Sequence, residues 1–383
     1  MKISKVLFYL FAFVFFLFTL AFFDQQNYNM TGEEGGTRIW VMRAILVLDV
    51  ISILIMFMSN NKYKGIHLIC MLWLLIMPIV MLRNQSPIAD LVQTILWPLI
   101  FEATFMCCYC QTHRRDFLIK VYYVITAFAL YYFLMTRFGT NSQTNTIYFC
   151  YLTLPWFLWG DSNKRRVIVL LVFTTLALMS IKRSMVLASA IIWLFFIIEK
   201  MKSKRNIILS FALFAVLFVT INQVFNRIDA NYGGQLSLHI SKEETNEDGR
   251  LLIWNVTYNM IVESSFVDII DGHGHFGVRK NSTLEISAHN DFLEVIYDYG
   301  LIIFILYLCL WGFVIKRTYY LYHIKSPYFL PYAASFGIFV SMSMVSHLIL
   351  YTNYFNFLVM FWGMTEAILE TQNLKIKRKA ITL

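Results

Sequence analysis

The sequence predicts an all-α polytopic membrane protein of about twelve transmembrane helices, folded as a single domain over residues 1–383 with one long periplasmic loop before the tenth helix. Three observations predict it. Of the 383 residues, 58% are hydrophobic and only 14% charged, where a soluble domain is roughly one quarter charged. The mean hydropathy of +0.61 makes lipid the solvent for most of the chain. Lysine and arginine gather in short clusters between apolar runs.

The runs come first. They begin near Val6, Ile39, Ile66, Ala89, Phe117, Thr146, Val167, Met185, Ile207, Phe292, Leu330 and Phe357, each close to the roughly twenty residues that one crossing needs. Those from Thr146, Val167, Met185 and Phe357 are the shortest. The segment from Val6 follows Lys2 and Lys5 but is too long for a signal core. It also ends in Phe22-Phe23 where a cleavage site needs small residues, so it reads as the first spanning helix.

The clusters then orient the helices. With the N-terminus inside, every inner loop is basic: Lys62/Lys64, Arg114/Arg115, Lys164 to Arg166, Lys200 to Arg205, and Lys316/Arg317/Lys325. The tail from Lys375 to Lys379 adds more. This bias places both termini in the cytoplasm. The short outer loops hold Arg38, Arg83, Arg137 and the pair Lys182/Arg183. The formal charge of +9 is thus spread along the chain, which argues against nucleic acid as a partner. The six cysteines lie in or beside apolar segments and read as small apolar filler, with neither a disulfide framework nor a zinc site.

Two outer segments stand apart. One is Ser180-Ile181-Lys182-Arg183-Ser184, which breaks the charge bias. The other is the polar loop over 226–290, opening with an acidic stretch at 241–248. A helix is predicted from about Arg250 to Glu263, with Asp248 as a plausible cap. Asn255, Asn259 and Glu263 form its polar stripe. The rest, Trp254 included, is so apolar that the helix should lie on or between the spanning helices. A glycine-rich turn, Asp271-Gly272-His273-Gly274-His275-Phe276-Gly277, comes next. His273 and His275 read as turn residues, because a His-x-His pair without a clear third ligand is weak evidence for a metal. The loop closes on Ser287-Ala288-His289-Asn290-Asp291, just before an apolar helix. His289 therefore sits at a helix N-terminus near the lipid interface. Asp291, Glu294 and Asp298 share one face there, read as a solvated helix end.

The order of these elements resembles the O-antigen ligase and polymerase family of bacterial membrane glycosyltransferases. A Ser-x-x-Arg-like motif between two central helices is matched by Ser180 to Ser184, with Arg183. An Arg-x-x-x-Trp helix is matched by Arg250 and Trp254, and a Gly-x-Gly turn by Gly272 and Gly274. The most specific part is the His-Asn motif followed by Gly, here His289-Asn290 and then Tyr299-Gly300. The likeness covers roughly 180–315. The sequence departs from the pattern at His273 and His275, and at Lys182, where a small or polar residue is usual.

The resemblance implies a transferase in the bacterial inner membrane whose active site faces the periplasm. Its donor would be a polyprenyl-diphosphate-linked oligosaccharide. Arg183 and Arg250 would stabilise charge on the departing diphosphate, and His289 would accept the proton of the acceptor hydroxyl, with Asp291 or Glu294 as alternative bases. Lys182, Asn290, Asp291, Trp254, His273 and Arg279 are the expected substrate contacts. The transfer would be inverting and metal-independent, with no cofactor. Membrane lipid and a chain-length regulator, or other polysaccharide-assembly proteins, are the implied partners. A polymerase of O-antigen, capsular or exopolysaccharide repeat units comes first. A ligase delivering glycan to a lipid A core or a protein is the alternative, and a lipid-linked oligosaccharide transporter a distant third.

Overall fold

The computed structural model describes residues 5–28, 36–58, 65–138, 146–160, 162–180, 182–200 and 251–381. The predicted run from Ile207, the acidic stretch at 241–248, Arg250 and the side chain of Arg183 lie outside the described residues. Among the described residues the fold is helical, without strands. The first group comprises α1 (Lys5–Tyr28), α2 (Gly36–Phe57), α3 (Ile66–Arg83), α4 (Ile88–Thr94) and α5 (Leu96–Cys108). It continues with α6 (Thr112–Phe138), α7 (Ile147–Phe157), α8 (Asn163–Ser180) and α9 (Arg183–Lys200). The second begins with α10 (251–263), then α11 (Phe266–Asp271) and α12 (Gly277–Asn281). It ends with α13 (Asp291–His323), α14 (Phe329–Val345) and α15 (Thr352–Ile381).

Among the described residues, six spans are long and apolar enough to cross a membrane: α1, α2, α3, α4 with α5, α6, and α13. Helices α7 and α14 are apolar but shorter. The run that begins near Ala89 breaks at Ile95 into α4 and α5, and Pro98 explains the break. Proline has no N–H, so the carbonyl of Thr94 loses its helical donor. The indole of Trp73 takes that place, with Nε1 donating to Thr94 O at 3.1 Å.

Aromatic packing fills the interior. Trp73, Trp97, Trp156 and Trp362 are fully buried; Tyr122 stacks on Trp156 at 3.8 Å, and Trp73 meets Trp97 edge-on at 5.0 Å. Inside a bilayer, helices associate through such close packing and through small residues at crossings. Gly363 supplies one: a Cβ there would lie 2.7 Å from Phe101 O, so α15 can lie directly on α5.

The bundle has two distinct ends. At one, Arg166 near the start of α8 donates to Pro327 O (2.9 Å) and pairs with Glu199 (3.1 Å). This joins the turn before α8, the end of α9 and the turn between α13 and α14. Helix α8 carries the chain about 27 Å away to the opposite end. There Tyr148 donates to Ser346 Oγ at 3.1 Å and lies 3.0 Å from Ser184 Oγ. The loop at 272–290 docks at this second end, where Asn84 donates to Asp271 O (2.9 Å) and Arg83 pairs with Asp271 (2.5 Å).

Candidate functional site

The site end is organised by two glycines. Gly300 interrupts α13 with φ 79° and ψ 176°, a conformation essentially reserved for glycine. The kink deprives the carbonyls of Tyr297 and Asp298 of helical donors, and buried carbonyls must find others. The glycine-rich turn supplies them. His273 N donates to Tyr297 O (3.0 Å) and Gly274 N to Asp298 O (2.8 Å). The approach is so close that a Cβ on Gly300 would collide with Ile270 O, and one on Gly272 with Asp298 O. The Gly-x-Gly turn and the Tyr-Gly pair are thus two halves of one backbone crossing.

This crossing fixes the histidines of the turn. His273 stacks on Tyr297 at 3.9 Å, and its Nδ1 lies 3.1 Å from Tyr297 O. His275 is fully buried, with Nδ1 2.5 Å from the Tyr299 hydroxyl. Burial, helped by the charge of Lys280, pushes its pKa down to about 3, so the ring is neutral at physiological pH.

The carboxylates of α13 overturn the expectation of a solvated helix end. Asp291, Glu294 and Asp298 are all 0% exposed. The loops fold over the first turns of the helix and donate backbone N–H groups, because a carboxylate taken from water needs donors. Asp291 accepts from Leu348 N (3.0 Å) and Ile349 N (3.3 Å). Glu294 accepts from His289 N (3.1 Å), and Asp298 from Val278 N (2.8 Å). Asn290 is the true N-cap, its Oδ1 accepting from Phe292 N (3.0 Å), and its Nδ2 donates to Met344 O (3.3 Å).

His289 stands immediately before that cap with φ +54°, a left-handed conformation that costs a non-glycine residue on the order of 1 kcal/mol. Its ring lies against that of His347, centroids 4.2 Å apart, and His347 Nδ1 is 3.0 Å from Glu294 Oε2. His347 also meets Tyr351 at 5.1 Å, and Tyr351 meets Phe276 of the glycine turn at 5.9 Å. Ser346, next to His347, accepts the hydroxyl of Tyr148, whose ring lies 5.7 Å from the ammonium of Lys182.

Residues 168–308 match the family model described as O-Antigen ligase. Over that region the chain is similar to the O-antigen ligase family. The O-antigen ligase region runs from α8 into α13 and contains every predicted site residue. Its family holds ligases and polymerases, membrane enzymes of glycosyl transfer. No curated protein matches the chain.

Within and beside the O-antigen ligase region, the predicted site residues fall into three sets. His289, Asn290, Asp291 and Lys182 share one end of the bundle, linked through His347, Ser346 and Tyr148. Trp254 of α10 joins them as a brace, its indole donating to Ala288 O at 2.8 Å. His273 is engaged by Tyr297, and Arg279 stands exposed on α12. Arg183 begins α9. Sequence reasoning missed His347, Ser346 and Tyr148. The one available sign was a Ser-His pair, Ser346-His347, interrupting the apolar run from Leu330.

Proposed function

We propose that the protein is a glycosyltransferase that takes a polyprenyl-diphosphate-linked glycan as donor and extends lipid-linked repeat units as a polymerase. One observation carries the reading. Ser184, Tyr148, Ser346, His347 and His289 form a continuous chain of contacts. That chain brings the turn bearing Lys182 and Arg183 to the same end of the bundle as the His-Asn motif. A cationic turn and an imidazole are what this chemistry needs.

The acceptor hydroxyl attacks the anomeric carbon of the donor. Its oxygen bonds to that carbon as the bond to the diphosphate oxygen breaks, and the electron pair departs on the diphosphate. Lys182, Arg183 and Arg250 offset the charge that develops there. The hydroxyl proton passes to His289, and attack opposite the leaving group inverts the anomeric centre. Because cations of the protein meet the diphosphate, the reaction runs without a divalent metal; loss of activity in EDTA would overturn that part. On this reading the chain crosses the inner membrane about twelve times, with the site facing the periplasm.

A second reading, ligation of finished glycan to a lipid A core or protein, is favoured by the family description itself, O-Antigen ligase. Gel electrophoresis of surface glycolipids separates the two. A null strain showing single repeat units where a ladder stood marks a polymerase. Long glycan kept on its carrier beside a bare core marks a ligase. His289→Ala should reproduce the null in either case, with transfer reduced at least about a hundredfold. A wild-type ladder in His289→Ala would remove His289 as the base and reopen the transporter reading.

A further inference from the structure

A second imidazole enters the site from outside the matched region. His347 follows α14, beyond residue 308, where the O-antigen ligase match ends. We propose that Glu294 and His347 form a positioning pair that holds His289 in its reactive orientation, a role that rests on the glycosyl-transfer reading above.

The geometry is specific. The two oxygens of Glu294 face two different loops: Oε1 accepts from the backbone N–H of His289 (3.1 Å), and Oε2 lies 3.0 Å from His347 Nδ1. One buried carboxyl therefore fixes the backbone of the first histidine and the ring of the second. A carboxylate on Nδ1 sets both the rotation and the tautomer of an imidazole, so His347 presents a fixed wall to the His289 ring at 4.2 Å, tilted by 41°. Tyr351, at 5.1 Å from the His347 ring, limits its movement further.

The strain at His289 fits the same role. A histidine persists at φ +54° only when its surroundings over-determine it. Here the Asn290 cap holds one side and the Glu294 carboxyl the other. Asp291, three residues before Glu294, binds the backbone of Leu348 and Ile349, directly after His347. Both imidazole-bearing loops are thereby referenced to the first turn of α13. A general base must keep its lone pair within hydrogen-bond reach of the acceptor hydroxyl, and small displacements are costly in rate. An apolar ring in place of His347 would fill the space without fixing that direction.

The test uses the full-length protein in lipid nanodiscs, with polyprenyl-diphosphate-linked glycan extracted from the null strain as substrate. His347→Phe and Glu294→Gln should lower kcat by about tenfold or more while KM stays within about twofold. His347→Gln, which can still donate to Glu294, should recover most of kcat. In parallel, diethylpyrocarbonate labelling of His289, read by mass spectrometry without substrate, should change by about threefold in His347→Phe and Glu294→Gln. It should stay near wild type in His347→Gln. Unchanged kcat in His347→Phe and Glu294→Gln overturns the proposal, whatever the labelling shows. So does equal damage in His347→Phe and His347→Gln, which would mark a packing role. A wild type that transfers nothing overturns the glycosyl-transfer reading instead, and unchanged labelling in the variants would then overturn the pair on its own.

Discussion

At its first turns α13 buries three carboxyl groups against the backbone of loops, whereas near its other end Arg317 is met by Glu366 of the neighbouring helix α15. A second helix-to-helix contact, His67 of α3 with Glu102 of α5 at 2.9 Å, follows the same pattern. In the body of the bundle, side chain meets side chain and ties helix to helix. At the site end, Asp291, Glu294 and Asp298 each accept from amide N–H groups, Glu294 also meeting the ring of His347, and these contacts tie loops to a helix. The first arrangement fixes the bundle. The second fixes the shape of a surface, which is what a catalytic end requires.

The hardest way to break this contrast is at Gly300. Gly300→Ala forces a Cβ into Ile270 O at a backbone conformation that alanine avoids. We expect a cost on the order of 4 kcal/mol to loop docking, with transfer abolished. The bundle should persist, because the contacts between Arg317 and Glu366 and between His67 and Glu102 lie elsewhere. Limited proteolysis would then cut within 271–290 while the spanning helices stay protected. A variant as resistant as wild type would show that the crossing does not organise the site.

Glu366→Ala probes the opposite end. It strands Arg317 beside a helix that no longer offers a carboxylate. Removing one partner of a fully buried pair costs about 3–5 kcal/mol. Arg317 keeps 25% of its side-chain surface exposed, so about 2–3 kcal/mol is expected here. Thermal unfolding of the purified protein should report that loss, while protein that remains folded should transfer glycan normally. Lost transfer at wild-type stability would mean that the body pair serves the reaction and that the contrast is false.

These cases also show what the sequence could carry. Apolar runs and charge clusters made a helical membrane protein legible, since both are local properties of the chain. Helix α10 was legible from its polar stripe of Asn255, Asn259 and Glu263. The glycine turn and Tyr299-Gly300 were visible as motifs, yet their meeting was not. A backbone crossing depends on the kink at Gly300, and nothing at Gly272 announces its partner. The acidic face of α13 was misread for a related reason. Carboxyls at i, i+3 and i+7 at a helix start ordinarily face water, and only the loops folded over them reverse that. His347 was missed because its importance lies in a partner, Glu294, carried by another element.

The mildest perturbation of the contrast is acid. His275 sits in the glycine turn, neutral and buried, its pKa held near 3 by desolvation and by Lys280. In an undocked loop the same ring takes up a proton once the pH falls below about 6.5. Between those two values the undocked chain binds more protons than the docked one, so docking weakens as the pH falls and is least affected above about 6.5. At pH 5 the loss is on the order of 2 kcal/mol. Proteolytic cutting of the loop should therefore rise between pH 7 and pH 5 in wild type, measured with a protease active across that range. In His275→Phe the rise should flatten, although the Tyr299 hydroxyl loses its partner and cutting at pH 7 is somewhat faster. The helix-to-helix contact of Arg317 with Glu366 contains no histidine and should not follow this profile. An acid sensitivity that persists unchanged in His275→Phe would place its origin in another group, and His275 would then be only a packing residue of the turn.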